Sequence, residues 1–327
     1  MVAVTVVVPT RDREQFLLQT LRSIQLQHDV DLEVVVVDDG SPPGQVDAVV
    51  ATLEDDRIRV LRNDTAQGVS AARNRGIDEA RGTWVGFCDD DDLWAADKVR
   101  RQLYAAADAR PGWVYTGSVN VNEEGRVVGG RLPLPPSQVV ALLPQRNVVP
   151  GGGSGVLVHR RLLDRAGPFD VGLHNTEDWD LWVRLSRLAT PRRVAAPMMG
   201  YRVHSAGSSL VTRQILLGAE EIERRYGGPL DRVTLYRHLG RLSARAGRRK
   251  EALRWYARTA RLSAEYRRDG LLSDSAELLG GARAEFIARR LRLPTPAQPD
   301  PAVTAYLSEA QRWLDELARS HLRGSSH

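Results

Sequence analysis

From Val2 to Phe87 the chain alternates short β-branched runs with amphipathic stretches, and few folds accept that order. Val2–Val8 and Leu32–Val37 are apolar without a polar–apolar alternation, the pattern of strands buried on both faces of a parallel sheet. Ile58–Leu61 and Trp84–Phe87 read as a third and a fourth strand. Between them Glu14–Gln27, Asp47–Leu53 and Gly68–Ala80 read as helices, the first carried by Phe16, Leu17, Leu21 and Ile24. Strands alternating with helices imply βαβ units, and right-handed crossovers send the strand C-termini to one edge of the sheet. Pro9-Thr10-Arg11, Asp38-Asp39 and Asp89-Asp90-Asp91-Asp92 should therefore converge there.

Four adjacent carboxylates repel one another, so the Asp89–Asp92 run at a strand end, closed by Leu93 and Trp94, calls for a cation. Ligands of open α/β sheets bind outside the strand C-termini. Mg²⁺ and Mn²⁺ take oxygen ligands, commonly one or two carboxylates plus substrate phosphates. The run therefore points to a metal–diphosphate site.

At 327 residues, 42% hydrophobic and 27% charged, the chain has ample core for a large domain plus a smaller one. The formal charge of +5 suits an anionic ligand or an anionic membrane surface. The basic residues are dispersed with no aromatic platform, so no nucleic-acid partner is expected. The single cysteine, Cys88, forms no intramolecular disulfide and suits a reducing compartment; between Phe87 and four carboxylates it reads as strand packing. No basic n-region precedes the first β-run, and no stretch reaches the about 20 apolar residues that span a bilayer. The expected location is cytoplasmic, with association at the inner membrane face left open.

A dinucleotide-binding fold wants Gly-x-Gly-x-x-Gly after its first strand, where this chain has Pro9-Thr10-Arg11-Asp12-Arg13-Glu14. Nor is there a Gly-x-x-x-x-Gly-Lys-Ser/Thr loop. Gly151-Gly152-Gly153-Ser154-Gly155 follows Pro150 without a strong strand; it allows either close backbone approach to a ligand or a flexible lid. Trp113–Gly117 and Val119–Val121 read as two strands, Asn122–Gly125 as a hairpin turn, Leu132–Pro136 as a loop, and Gly155–Val158 as a strand before an Arg160–Ala166 helix. Further on, Thr176 can cap a helix with Trp179, Leu181, Trp182 and Leu185 on its apolar side.

Four blocks together resemble the family 2 glycosyltransferases: Val6–Arg13, Val37–Ser41, Gly68–Gly76 and Phe87–Trp94. The resemblance covers roughly residues 2 to 210 and implies a GT-A fold, a Rossmann-like α/β architecture with a mixed, mainly parallel sheet flanked by helices. It implies metal-assisted sugar transfer from a nucleotide-diphosphate donor, UDP-linked, with inversion at the anomeric carbon. On that resemblance Pro9, Thr10 and Arg11 hold base and ribose, and Asp39 accepts from uracil with Asp38 beside it. Arg73 and Asn74 either reach the diphosphate or ribose side or tie their helix to neighbouring carboxylates. Asp91 and Asp89 are assigned to Mn²⁺ or Mg²⁺, Asp89 and Asp90 also to ribose or the metal's water shell. Asp92 would start a helix over Ala95–Arg110. Asp178 is the general base, Glu177 the second choice, and Asp180 points away. His204 is a third metal ligand, with Arg202, Ser208 and Ser209 as phosphate partners. The acceptor is left as a saccharide, a lipid-linked intermediate, a peptide or a small natural product.

The expected division is a catalytic domain over 1–212, a helical extension over 213–293, a proline-rich linker over 294–301, and an amphipathic helix and tail over 302–327. His238–Tyr256 resembles one tetratricopeptide-type hairpin without a convincing second repeat. The final helix carries Val303, Tyr306, Leu307, Ala310, Trp313, Leu314 and Leu317 on one stripe. That stripe packs on the protein itself, or else marks a homodimer contact or peripheral membrane attachment. Two alternatives to catalysis by sugar transfer stay open. One is a nucleotide-sugar-binding scaffold with a degenerate transferase domain; the other is a nucleotidyltransferase, which would want glycines beside Arg11-Asp12-Arg13.

Overall fold

The structure, a computed structural model, describes residues 2–107, 111–203, 211–270, Asp274 and 300–323. Val4–Thr10 (β1), Leu32–Asp38 (β2), Ile58–Arg62 (β3) and Trp84–Phe87 (β4) form a parallel half-sheet joined by Glu14–Gln25 (α1), Gln45–Ala51 (α2) and Val69–Asp78 (α3). Alternate side chains enter different cores: Val7, Val35 and Val37 pack on one face, Val4, Val6, Val8, Val34 and Val36 on the other. A strand whose two faces are both dry favours apolar residues at every position, which is why these runs lack alternation; the polar Thr5 and Glu33 are bonded to each other at 2.7 Å.

The second half adds Leu93–Trp94 (β5), Lys98–Ala106 (α4), Trp113–Val121 (β6), Val127–Arg131 (β7), Pro136–Leu142 (α5), Val156–His159 (β8), Arg160–Ala166 (α6), Glu177–Leu188 (α7) and Arg192–Arg202 (β9). The sheet of the described residues runs β3-β2-β1-β4-β8-β6-β9-β5, with β7 on β6. Because β8 is antiparallel to both β4 and β6, and β9 is parallel to β6, β1, β2, β4, β6 and β9 all end at one edge. Thr10, Asp38, Phe87 and Arg202 are thus neighbours there.

Three local expectations are corrected. Residues 113–121 form one strand rather than two, since Ser118 is buried and pairs with both Arg131 and Met199. Leu93 and Trp94 do not lead into a helix but pair with Gly200 and Met199, so α4 begins at Lys98 behind Asp97. Asp92 is consequently no helix cap; it is fully buried. Thr176 does precede α7, but its hydroxyl makes no capping bond.

Beyond β9, Thr212–Tyr226 (α8), Arg232–Arg245 (α9) and Arg249–Leu262 (α10) are helical. Helix α8 places Ala219 and Ile222 in the core of Trp179 and Trp182, and Ile215 in a cluster with Leu239, Leu242 and Trp255. Helices α9 and α10 close together at Gly240, where a Cβ would collide with the Tyr256 ring. The last helix, Pro301–Arg323 (α11), returns to the sheet: Tyr306, Ala310, Leu314 and Leu317 pack on Leu93, Val119 and Val121. Tyr306 Oη lies 3.1 Å from both the Ser118 and the Arg131 carbonyl oxygens, and Trp313 Nε1 donates to the Pro197 carbonyl at 2.9 Å. The apolar stripe is thereby covered by the chain's own sheet, which is the first of the readings open to it. Among the described residues no helix is long and apolar enough to cross a membrane. Most of the expected linker, residues 294–299, lies outside the described residues.

Candidate active site

The C-terminal edge of β1 and β2 is knitted by short polar contacts. Thr10 accepts the Asp39 backbone N–H at 2.9 Å, and Asp38 accepts from Ser41 N at 2.9 Å while Arg62 Nη1 stands 3.1 Å from its other oxygen. Asp39 accepts from Asn63 Nδ2 (2.7 Å), Gln67 N (2.9 Å) and Gly68 N (2.8 Å). These bonds hold the loop that enters α3, and leave one of a carboxylate's about four acceptor positions for a ligand donor. Pro9 is buried within β1, whereas Arg11 is exposed beside Asp12 at 3.6 Å.

The acidic run divides by depth. Asp90 is buried, accepts from the Thr10 hydroxyl at 2.7 Å and meets Arg13 Nη1 at 3.1 Å. The same Arg13 nitrogen lies 2.6 Å from Asp91 Oδ2. Burial opposes the Arg13 charge, but Asp90, Asp91 and Asp89 outweigh it and raise its pKa. Asp92 accepts from the Ser154 hydroxyl and, at 3.2 Å, from Arg202 N. Burial, then the charge of Asp91, pushes Asp90 up to about 7; burial likewise drives Asp92 well above the usual carboxylate range. The outward pair is Asp89 and Asp91, with side chains 30% and 14% exposed.

That pair is what a hard divalent cation requires. Oxygen donors on one or two carboxylates, completed by ligand phosphates, are the usual set for Mg²⁺, and both side chains sit at the open edge. Among the described residues no three His, Cys, Asp or Glu gather closely enough to hold an ion by themselves. His204, Ser208 and Ser209 lie outside the described residues.

Arg73 joins the run to the second chemical element. Its guanidinium is 2.6 Å from Asp89 Oδ1 and 2.9 Å from Glu177 Oε1, and it stacks on Phe169 at 5.3 Å. These contacts tie α3 to the carboxylates. Asn74 does the same for the backbone, exchanging bonds of 2.9 and 2.8 Å with Phe169. Glu177 is thereby committed to Arg73, while its neighbour Asp178 accepts from Trp179 N at 2.6 Å and Asn147 Nδ2 at 3.3 Å. Burial, then the charge of Glu177, outweighs Arg73 and pushes Asp178 up to about 7. A carboxylate so poised exchanges protons near neutral pH. Asp180 turns away to Arg184, Arg225 and Tyr226, as expected.

The glycine-rich segment lies between these elements, its backbone close against Met199 and Asp178. Gly151 and Gly152 have φ of +72° and +55°. A Cβ on Gly151 would collide with Met199, and one on Gly152 would stand 3.3 Å from Asp178 Oδ2. Ser154, inside the turn, accepts from Asp89 N at 3.0 Å and donates to Asp92.

Arg202 departs from its expected phosphate contact. It is 3% exposed, donates to the Asp91 carbonyl at 2.9 Å and to Gln19 at 2.8 Å, and stacks on Phe16 at 5.0 Å. It braces the backbone of the acidic run from β9. Arg13, Ser154 and Asn147 are the site residues that reading by motif missed. Arg13 stands inside a matched block, which was a signal; Ser154 and Asn147 carry none, because their partners are remote in the chain. A separate cleft of about 350 Å³, lined by Trp84, Trp113 and Arg192 among others, opens at the opposite ends of the strands and shares none of these residues.

The model of the family described as "Glycosyl transferase family 2" matches residues 5–166. A PGL/p-HBAD biosynthesis glycosyltransferase of Mycobacterium bovis is 31% identical over 183 residues, 55% of this chain and 68% of that protein. The succinoglycan biosynthesis protein ExoO of Rhizobium meliloti is 32% identical over 222 residues, covering 63% of this chain and 62% of ExoO. The chain spans only 21% of an uncharacterized glycosyltransferase of Rickettsia felis that it also matches. Two solved structures share the fold. S. aureus TarS 1-349 in complex with UDP-GlcNAc has a TM-score of 0.58 at 15% identity, over 98% of this chain and 92% of that one. The mannosyltransferase PcManGT of Pyrobaculum calidifontis, with GDP-Man and Mn2+, has a TM-score of 0.53 at 19% identity, over 98% and 86%.

Proposed function

The chain belongs to glycosyl transferase family 2 and is a glycosyltransferase; from that premise we propose that it moves a sugar from a UDP-linked donor to an acceptor hydroxyl with inversion. The observation that carries this reading is one carboxylate poised near neutral pH, Asp178, facing a sheet edge whose outward carboxylates Asp89 and Asp91 suit a cation. Pro9, Thr10 and Arg11 border the nucleoside, with Arg11 the exposed side chain of the three. The open acceptor position of Asp39 takes the imide N–H of uracil, which an acceptor-only carboxylate suits and a guanine edge would use differently. Asp38 and Asp90 shape that pocket from beneath.

A divalent cation, Mn²⁺ or Mg²⁺, would be held by Asp89, Asp91 and the donor's phosphates, and supplies Lewis-acid relief of the charge gathering on the leaving diphosphate. Asp178 accepts the acceptor's hydroxyl proton as that oxygen bonds the anomeric carbon. The carbon's bond to the diphosphate oxygen breaks on the opposite face, so configuration inverts. Asn147 and the Trp179 N–H aim the carboxylate, and Gly152 leaves the room in front of it. Arg73 and Arg202 hold the site's walls rather than its ligand.

The direct test is calorimetric titration with UDP- and GDP-sugars, with and without Mn²⁺, followed by assay for donor turnover. UDP-selective, Mn²⁺-dependent binding that Asp91→Ala abolishes is expected. GDP preference would overturn the nucleotide assignment, and metal-indifferent binding would overturn the role of Asp89 and Asp91.

A further inference from the structure

Helix α10 turns its apolar side inward and its basic side out. Ala252, Trp255, Tyr256, Thr259 and Ala260 are its buried residues, recurring at the three- and four-residue steps of one helix face. The opposite face carries Lys250, Arg254, Ala257 and Arg261, all exposed, in a stripe about 17 Å long at the helical rise. Glu251, the single acid of this helix, is withdrawn from that face. It accepts from the Thr212 hydroxyl of α8 and stands 3.3 Å from Arg248. Among the described residues no carboxylate lies within ion-pair distance of Lys250, Arg254 or Arg261.

Two aliphatic side chains stand in this basic field. Leu253 and Leu262 are 49% and 54% exposed, one towards each end of the stripe. The rings that could stack on nucleic-acid bases point inward: Tyr256 is fully buried, and Trp255 lies under the Arg258 guanidinium at 4.6 Å. Unpaired cations with aliphatic neighbours and no stacking platform match the anionic surface of a bilayer. There the headgroups attract each basic residue, and aliphatic side chains enter the boundary with the acyl chains.

The face is also fixed relative to the candidate site. Helix α8, whose Thr212 holds Glu251, accepts from Asn175 through Gln214 at 2.8 Å. Its Gly218 lies so close to Thr176 that a Cβ would collide with the hydroxyl. Asn175 and Thr176 lead directly into α7 and Asp178. One helix thus links α10 to the start of α7.

We propose that the Lys250, Arg254 and Arg261 face of α10 docks the protein on an anionic membrane surface, with Leu253 and Leu262 entering the headgroup boundary. Each basic residue near such a surface is worth about fivefold in partitioning. The attraction is screened within a Debye length, so it fades as salt is added. None of this depends on the nucleotide or the sugar that the site takes.

The full chain is floated with vesicles of phosphatidylcholine alone, and with vesicles containing roughly one quarter phosphatidylglycerol. Expected is about tenfold or greater preference for the anionic vesicles, lost at about 0.5 M NaCl. Lys250→Gln/Arg254→Gln/Arg261→Gln should lower anionic binding about a hundredfold, with circular dichroism and melting those of the parent. Lys250→Arg/Arg254→Lys/Arg261→Lys should keep it, because a headgroup layer reads charge rather than fork geometry. Leu253→Ser/Leu262→Ser should weaken vesicle binding severalfold and leave binding to a DNA duplex unchanged, which separates lipid from any polyanion. Equal binding to the two vesicles, or anionic binding that survives in the glutamine variant, would overturn the docking face. A serine variant that floats as well as the parent would overturn lipid as its occupant.

Discussion

Arg73 Nη1 and Glu177 Oε1 lie 2.9 Å apart across 104 residues of chain. Both side chains are nearly inaccessible, and Asp89 shares the guanidinium. Removing one partner of a buried pair strands the other's charge, at about 3–5 kcal/mol. Arg73→Met should therefore lower the unfolding free energy measured in urea by that order, and Arg73→Met/Glu177→Gln should recover part of the loss. A single variant as stable as the parent would mean the tie is dispensable.

Asp178→Asn should leave UDP affinity in place and reduce transfer by about 10²–10⁴-fold, the usual worth of a general base. In the parent, the rate should rise with pH through about 7, where Asp178 ionises. The folded pKa is raised from 3.8, so the associated stability is complete below 3.8 and is lost as pH rises through about 7. Asp178→Asn removes that loss. Its melting temperature should exceed the parent's at pH 9, and the gap should narrow below about pH 7 and close only below about pH 3.8. A gap that is constant with pH would show that Asp178 is not the acid of raised pKa described.

Gly152→Ala puts a Cβ into a left-handed backbone at φ +55°, 3.3 Å from Asp178 Oδ2. The backbone term alone is roughly 1–2 kcal/mol. Expected are a lower melting temperature and a fall in acceptor-dependent rate, with UDP titration unchanged. An unchanged rate would place the acceptor elsewhere.

Tyr306→Ala tests the cover that α11 gives the sheet. The ring packs over Gly117 and Gly130, and its hydroxyl is within reach of two strand carbonyls. Truncating a buried aromatic to alanine costs about 3–5 kcal/mol. Chemical denaturation should show a loss of that size, and Tyr306→Phe a smaller one.

The parallel half-sheet was legible because burial on both faces writes itself into Val4–Val8 and Leu32–Val37 as continuous apolar sequence. Convergence of Thr10, Asp39 and Asp90 followed from topology alone, and the bonds at 2.7 and 2.9 Å bear it out. What local pattern cannot carry is partnership at a distance. Nothing near Arg13 announces Asp91, 78 residues on, and nothing near Ser154 announces Asp92. A carboxylate before an amphipathic stretch, as Asp92 is, has the local meaning of a cap. The pairing of Leu93 with Gly200 in β9 overrides it. Asn147 sits in a segment without periodicity, and its link between Arg131 and Asp178 appears only in three dimensions.

Helix α11 also sets an order in time. Leu93, Val119 and Val121 are covered by Tyr306, Ala310 and Leu314, which are synthesised after the nine strands of the described residues. Domains fold as units while the ribosome elongates them. A nascent chain paused between residues 202 and 301 therefore holds every strand of the described residues with one apolar face still wet. Its final helix acts as a closing stitch, and translation has to reach it before the sheet is dry.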